Sequence, residues 1–211
     1  MSRFKMVMKK CAVCGHEAEY KLIMSTSGFG SMDLDTRPPA LARFLLSDQV
    51  EFCEHCGYAN IDISCLSREN VQEYMETDEY QNILNSSINE TSKKYLLTAY
   101  LTPFRKYTDY RGGYYLKAAW AFDDHHDTEN AIEARKKSVD FLMQYAKIRK
   151  KIKIEVIVVD VLRRSLQFEE AKKLALDLLE RVDDDLMKKI LLFQIELINK
   201  KDVACHKVSE I

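Results

Sequence analysis

Residues that interrupt helices are scarce in this chain, which has three prolines and six glycines among 211 residues. They are also unevenly placed, because the single Pro-Pro pair and four of the six glycines precede residue 67. Since proline and glycine favour turns and end helices, this distribution predicts a mainly α protein. We expect a small β-rich module at residues 1–66 and an α-helical domain at residues 67–211.

The chain also lacks an excess of charge of one sign. Its 32 basic side chains nearly balance 33 acidic ones, leaving a formal net charge of -1. Residues 1–66 contain seven basic and eight acidic side chains, and the remainder contains twenty-five of each. Neither part is a basic module, so the composition argues against nucleic acid as a partner.

Long apolar runs are absent from the sequence. The first ten residues have no apolar segment of the length that a secretion signal needs, and no later stretch reaches about eighteen uncharged apolar residues. We therefore expect a cytoplasmic protein with no membrane partner.

Six cysteines are present, and a reducing compartment rarely keeps cysteines as structural disulfides. Four of them repeat one motif, with Cys11 and Cys14 in C-A-V-C-G and Cys53 and Cys56 in C-E-H-C-G. A spacing of two residues lets a tight turn bring both sulfurs to one side, and the following glycine admits a left-handed backbone. The motifs predict two knuckles that together hold one structural zinc ion through four thiolates. Such binding typically provides about 10 kcal/mol or more of folding free energy.

Three other uses of the cysteine pairs are compatible with the motif. Iron suits the same ligands, and Tyr20 shortly after the first pair adds to a rubredoxin-like pattern. Redox-active pairs and a nucleic-acid-binding zinc ribbon are the other two. His16 and His55 are expected in solvent-facing loops rather than as ligands, whereas Cys65 and Cys205 have no partner at ligand spacing.

A polar cluster lies between the knuckles in the segment M-D-L-D-T-R-P-P, which contains Asp33, Asp35 and Arg37. One interpretation is an Asp-rich turn whose side chains bond nearby backbone amides and Arg37. Another is a recognition loop held out by the metal module. Alternating carboxylates also suit a hard cation.

The motifs C-A-V-C-G, D-L-D-T-R-P-P and F-C-E-H-C-G-Y-A-N occur in this order over residues 11–60. In this they resemble an uncharacterised family of bacterial domains of unknown function, in which a four-cysteine knuckle pair precedes tetratricopeptide-like helices. The resemblance implies a bacterial cytoplasmic protein and brings no activity with it. Ala12 and Glu54 stand where proline is common in that family, which concerns the stiffness of the knuckles more than ligation.

Apolar residues at spacings of three and four predict helices throughout the second part. The predicted segments are 67–84, 90–101, a helix that starts after Gly113 and ends at the D-D-H-H-D tract, 128–148, 154–166, 168–182 and 184–199. Residues 149–153 are predicted to be a basic connector. The run I-E-V-I-V-V-D-V suits a buried strand by composition, but its apolar pattern continues without a turn and favours a helix.

The stretch R-R-S-L-Q-F-E-E-A-K-K-L-A-L-D-L-L looks like a tetratricopeptide repeat, with Phe168 and Ala171 at the positions where two helices approach. Stacked helical pairs form a concave face that receives a peptide or a helix, although a plain bundle is the alternative.

Motifs of catalysis are missing: there is no phosphate-binding glycine loop, nucleophile elbow or HExxH, and Asp123 with His126 is a lone carboxylate-x-x-His pair. We therefore predict a non-enzymatic, zinc-stabilised protein that binds another protein or peptide through its helices. A rubredoxin-like iron protein for electron transfer and a nucleic-acid-binding zinc ribbon are the alternatives.

Overall fold

The computed structural model describes residues 2–103 and 110–211. It confirms a mainly α fold in which short antiparallel strand pairs precede a helical body. The strands are β1 Arg3–Lys10, β2 Glu17–Ser25, β3 Gly28–Phe29, β4 Ala40–Leu41, β5 Glu51–Phe52 and β6 Ala59–Asn60, with a 3-10 helix at Arg43–Gln49. The helices are α1 Val71–Met75, α2 Asp78–Leu84, α3 Glu90–Leu101, α4 Tyr110–Asp124, α5 Thr128–Arg149, α6 Ile152–Arg164, α7 Phe168–Arg181 and α8 Asp185–Asn199, followed by a 3-10 turn at Val208–Glu210.

The β1–β2 hairpin carries the first cysteine pair in its connection. The two strands are antiparallel, with Val7 opposite Tyr20 and Lys10 opposite Glu17. Side chains alternate between faces, so Val7 and Tyr20 are half-buried while Met6 and Met8 on the other face are exposed. Charged residues and methionines give β1 little strand character in the sequence.

Most of the predicted helices are present. α3 spans the predicted 90–101, and the β-branched run of residues 154–161 lies within α6 as a helix. Asp127 and Asp184 cap α5 and α8 by accepting from the amides of Asn130 and Met187.

Three helix boundaries were predicted wrongly. The segment 67–84 is two short helices, since Thr77 caps α2 by accepting from the Tyr80 amide. The expected connector at residues 149–153 is shorter because α6 already begins at Ile152. Glycines 112 and 113 lie inside α4, whose described residues are Tyr110–Asp124.

Close packing of α4 on α5 explains the glycine inside the helix. A Cβ atom at Gly112 would lie 2.9 Å from Cγ of Leu142 on α5. Ser138 Oγ also donates to the Gly112 carbonyl oxygen at 2.9 Å. Glycine is required here for the approach of two helices rather than for a turn.

The apolar core continues across residue 66. One cluster of buried side chains joins the cysteine module to α1–α5, and a second fills the space between α5 and α8. Tyrosines reinforce the junction: Tyr80 Oη donates to the Gly57 carbonyl at 2.7 Å, and Tyr95 Oη donates to the Leu46 carbonyl at 2.9 Å. The helices therefore form one wall of the cysteine module.

The segment after α8 returns to the loop between the knuckles. The Leu34 amide donates to the His206 carbonyl at 2.9 Å, and the Val208 amide donates to the Met32 carbonyl at 3.0 Å. Arg163, which is fully buried, donates to the carbonyl oxygens of Asp202 and Ala204. This contact between distant parts of the sequence fixes the loop against α6.

Candidate metal centre and helical groove

The two knuckles have the same backbone geometry. In the first, the Gly15 amide donates to the Cys11 carbonyl at 2.9 Å; in the second, the Gly57 amide donates to the Cys53 carbonyl at 2.8 Å. Both glycines are left-handed, with φ of 76° and 78°. The sequence prediction of a glycine turn after each pair is confirmed.

The four sulfur atoms lie close enough together to surround one metal ion. All four are within 4.8 Å of one another. The Sγ–Sγ distances are 3.7 Å for Cys11–Cys56 and 3.7 Å for Cys14–Cys53. With a zinc–sulfur bond of about 2.3 Å, a regular tetrahedron has an edge of about 3.8 Å. These sulfur positions are compatible with a tetrahedral thiolate site.

Thiol chemistry also favours a cation at the centre. Burial raises the pKa of Cys53 and that of Cys56. The pKa of the exposed Cys14 is instead lowered, to about 6. Desolvation acts to raise this pKa, but hydrogen bonds, including one from the His16 backbone, outweigh it. Since thiolates are the metal ligands, a bound divalent cation would offset the cost of ionising the buried thiols.

The neighbouring histidines stack on each other. The rings of His16 and His55 lie with centroids 5.2 Å apart and planes 11° apart. Among the described residues, the one cluster that could hold a metal ion consists of the four cysteines alone. Cys65 and Cys205 are outside it, and the Cys205 thiol instead donates to Asp33 at 3.0 Å.

The segment with Asp33, Asp35 and Arg37 is buried. Their exposed fractions are 1%, 0% and 5%. Asp35 accepts from the Arg37 amide at 3.1 Å, as in the Asp-turn interpretation. The Asp33 amide in turn donates to the Arg37 carbonyl at 3.0 Å. The role of this loop in recognition stays a prediction. A partner would have to contact the loop through other atoms, because these three side chains are buried.

Asp35 is also linked to α4 and α6. It accepts from Trp120 Nε1 at 2.8 Å and from Arg164 Nη1 at 3.2 Å. Arg164 further donates to Asp123 at 2.8 Å, and Arg135 binds both oxygens of Asp123 at 3.1 and 2.5 Å. Each buried ion of this network thus has a partner, and loss of one ion would leave the other buried and unpaired.

Sequence reasoning missed this ion network. The available signal was Arg135, a charged residue on the apolar period of α5, whose exposed fraction is 2%. A cation at such a position needs a buried carboxylate, and the acidic end of α4 was the nearest source. Nothing local indicated Arg164, since its partners are 129 and 41 residues away.

A groove of about 900 Å³ lies between α5, α6 and α7. Its apolar lining includes Val139, Met143 and Ala146 of α5, Leu162 of α6 and Leu174 of α7. Three lysines line its edges, Lys147, Lys150 and Lys173.

The acidic residues of the groove are mostly paired within it. Arg181 donates to Glu155 at 2.9 Å and to Asp177 at 2.6 Å. Glu170 is left as the one unpaired carboxylate in the described lining, against three lysines. The charged lining thus comprises four basic and three acidic side chains, a formal net charge of +1, around an apolar interior.

Comparisons with protein-family models, with curated proteins and with solved structures find no match to this chain. The likeness to a bacterial domain family therefore stays a prediction. The structure supports its coarser content, a four-cysteine cluster at the N-terminal side of a helical body. Within the described ranges, no helix has both the length and the apolar character needed to cross a membrane.

Proposed function

We propose that this protein is a non-enzymatic, zinc-stabilised interaction protein that binds an amphipathic helix of another protein in the groove of α5, α6 and α7. The groove is the observation that carries the proposal. An apolar floor with charged edges is how proteins receive an amphipathic helix, whose apolar side chains at intervals of three and four residues fill the floor.

The charge of the edges indicates the chemistry of the partner. Lys147, Lys150 and Lys173 have no carboxylate partner within the described part of the chain, and the lining as a whole has four basic and three acidic side chains. A helix with acidic residues beside its apolar face would pair with these lysines. Such pairs select the partner and speed association more than they add affinity.

The succession of helical hairpins supports a tetratricopeptide-like arrangement. α4 packs on α5, α5 on α6, α6 on α7 and α7 on α8. Ala171 near the start of α7 is fully buried, as expected where two helices approach closely. In such arrays the curved inner surface is the one that binds other proteins.

The metal has a structural role in this proposal. Four thiolates complete a tetrahedral site, so no coordination position is left for a substrate. Zinc is the metal we propose, because it has no redox chemistry and is commonly held by four cysteines. Iron would fit the same distances, and its presence would favour the rubredoxin-like alternative.

Native mass spectrometry and elemental analysis of the purified full chain test the metal. We expect one zinc ion per chain and no visible absorption from iron-thiolate bonds. Stoichiometric iron with that absorption would instead assign the centre to electron transfer.

Peptide selection on the immobilised, metal-loaded protein tests the groove. We expect selected peptides with apolar residues at helical spacing and acidic residues beside them. Their affinity, measured by fluorescence anisotropy, should fall roughly tenfold or more in the double variant Lys147→Glu and Lys173→Glu, since two attractive pairs become repulsive. The matched control is Lys189→Glu, an exposed lysine on α8. Peptides that bind all three proteins equally would place the binding surface elsewhere.

A further inference from the structure

A second, smaller cavity lies where the loop after Asp35 faces α4. It has a volume of about 320 Å³ and includes Arg37, Arg43, Lys117 and Trp120 in its wall. Within the described part of the chain, no carboxylate lines it. The wall therefore holds three cationic side chains and an indole ring, and the two arginines each pair with a carboxylate outside it.

Lys117 is the cation whose charge is least compensated. It is half-buried on α4, and its Nζ donates to the neutral Gln49 Oε1 at 3.0 Å. Within the described residues Lys117 forms no ion pair with a carboxylate, although it also borders a neighbouring cavity whose wall includes Asp48 and Glu51. Its Nζ lies 5.8 Å from the centroid of the Tyr95 ring, and burial lowers the pKa of its ammonium group. An ammonium removed from water without a counter-ion costs folding free energy, and a bound anion would remove that cost.

Arg37 contributes a second unused donor. Its exposed fraction is 5%, and its Nη2 donates to Asp124 Oδ2 at 2.5 Å. Its Nε is buried and has no acceptor in the described structure. Since a buried donor without an acceptor is unfavourable, an acceptor supplied by a ligand would stabilise this arrangement.

Arg43 completes the positive wall while two of its donors are already used. Its Nε donates to the Pro38 carbonyl at 3.0 Å, and its Nη2 donates to Asp33 at 2.5 Å. Thr36 beside Arg37 has a φ of 69°, which is rare for a β-branched residue. The loop is thus held by its own bonds in a conformation that keeps Arg37 at the cavity.

We propose that this cavity binds a phosphate group, either free or carried by a small metabolite. A phosphate has a charge of about -1.5 to -2 at neutral pH and oxygens that accept several hydrogen bonds at once. Arginine matches such oxygens with a planar set of donors, and lysine adds a point charge. Leu46 and Trp120 form an apolar part of the wall where the organic portion of a phosphate ester would lie.

Tryptophan fluorescence gives a direct measurement, because Trp120 is the single tryptophan of the chain. The metal-loaded full chain is titrated with inorganic phosphate, glycerol 3-phosphate and acetate, each at constant ionic strength maintained with sodium chloride. We expect a saturable fluorescence change with both phosphates. Equal affinities assign the site to the phosphate group alone, whereas tighter binding of the ester assigns it to a phosphorylated metabolite. No saturation with either, or equal binding of acetate, would overturn the proposal.

Substitution of Lys117 tests the assigned residue. Lys117→Met and Lys117→Gln should weaken phosphate binding roughly tenfold or more, because each removes a charged donor. Both variants should melt at or above the temperature of the unsubstituted protein without phosphate, since a poorly compensated charge is gone. Lys189→Met on α8 should bind phosphate normally. Unchanged binding by folded Lys117 variants would show that the phosphate proposal is wrong. Neither outcome bears on the proposal that the α5–α7 groove binds a helix.

Discussion

The first and second cysteine knuckles share their backbone hydrogen bonds and glycine conformation, but their surroundings differ. The first lies at the end of an exposed hairpin, and its Cys14 is open to solvent. The second lies against the helical body, where Cys53 is fully buried. A Cβ atom at Gly15 would meet only Lys10 Cε at 3.5 Å, whereas one at Gly57 would meet Leu84 Cδ2 at 2.8 Å.

This difference indicates two sources of stability for two copies of one motif. The first knuckle is held by the metal, by its own hairpin, and by the Ala12 amide, which donates to the Ile63 carbonyl at 2.9 Å beside the buried Cys11. The second is also held by α2, through Leu84 and the hydrogen bond from Tyr80. The metal thus connects a hairpin with a thin apolar side to the main core.

Loss of the metal should reveal the largest difference in stability between the two knuckles. Metal binding of this kind contributes on the order of 10 kcal/mol, so we expect Cys14→Ser and Cys53→Ser both to lower the melting temperature strongly. Hydrogen exchange followed by mass spectrometry should show that Cys14→Ser exposes the β1–β2 hairpin while α2 stays protected. In Cys53→Ser, α2 should lose protection as well.

Cys65→Ser is the matched control for both, because Cys65 is exposed and outside the cluster. It should keep its metal and its melting temperature. Identical exchange patterns for Cys14→Ser and Cys53→Ser would contradict the difference between the knuckles.

Substitution of Gly15 or Gly57 by alanine tests the difference in packing between the two knuckles. Both substitutions place a side chain in the left-handed region, which costs about 1–2 kcal/mol. Gly57→Ala should cost about 1 kcal/mol more than Gly15→Ala, because Leu84 has to move. Urea denaturation of the metal-loaded proteins measures the two losses, and a larger loss for Gly15→Ala would count against the closer packing of the second knuckle.

The smallest expected effect comes from the hydroxyl of Tyr20, in comparison with that of Tyr80. Tyr80→Phe leaves the buried Gly57 carbonyl without its donor and should cost about 1–3 kcal/mol. Tyr20 donates to the Phe52 carbonyl at a longer 3.3 Å from a half-buried position, so Tyr20→Phe should cost less than about 1 kcal/mol. Free energies of unfolding from urea titrations test this order, which equal losses would refute.

The features predicted correctly from the sequence depend on neighbours along the chain. The C-x-x-C-G spacing predicted both glycine turns, because a tight turn is decided within five residues. The apolar period likewise predicted α3 and the helical state of α6. In the metal cluster, spacing brought together each cysteine pair, and the fold brought the pairs to each other.

The errors concern residues whose environment comes from distant segments. Glycine at 112 was interpreted as a helix boundary, although it serves contact with Leu142 on another helix. Asp35 gave no sign of burial, because its partners Trp120 and Arg164 are 85 and 129 residues away.

The sequence by itself determined the two knuckles, the mainly helical fold and most helix boundaries, because turn geometry and helical period are local properties. Only the tertiary structure decided that the Asp33 and Arg37 segment is buried, that Lys117 is half-buried beside Arg37 and Trp120, and that the two knuckles are unequal. These features depend on which surfaces exclude water from each other. Contact between segments that are distant in the sequence determines which charges are buried and which side chains pack closely. A local sequence pattern does not indicate which distant segments meet.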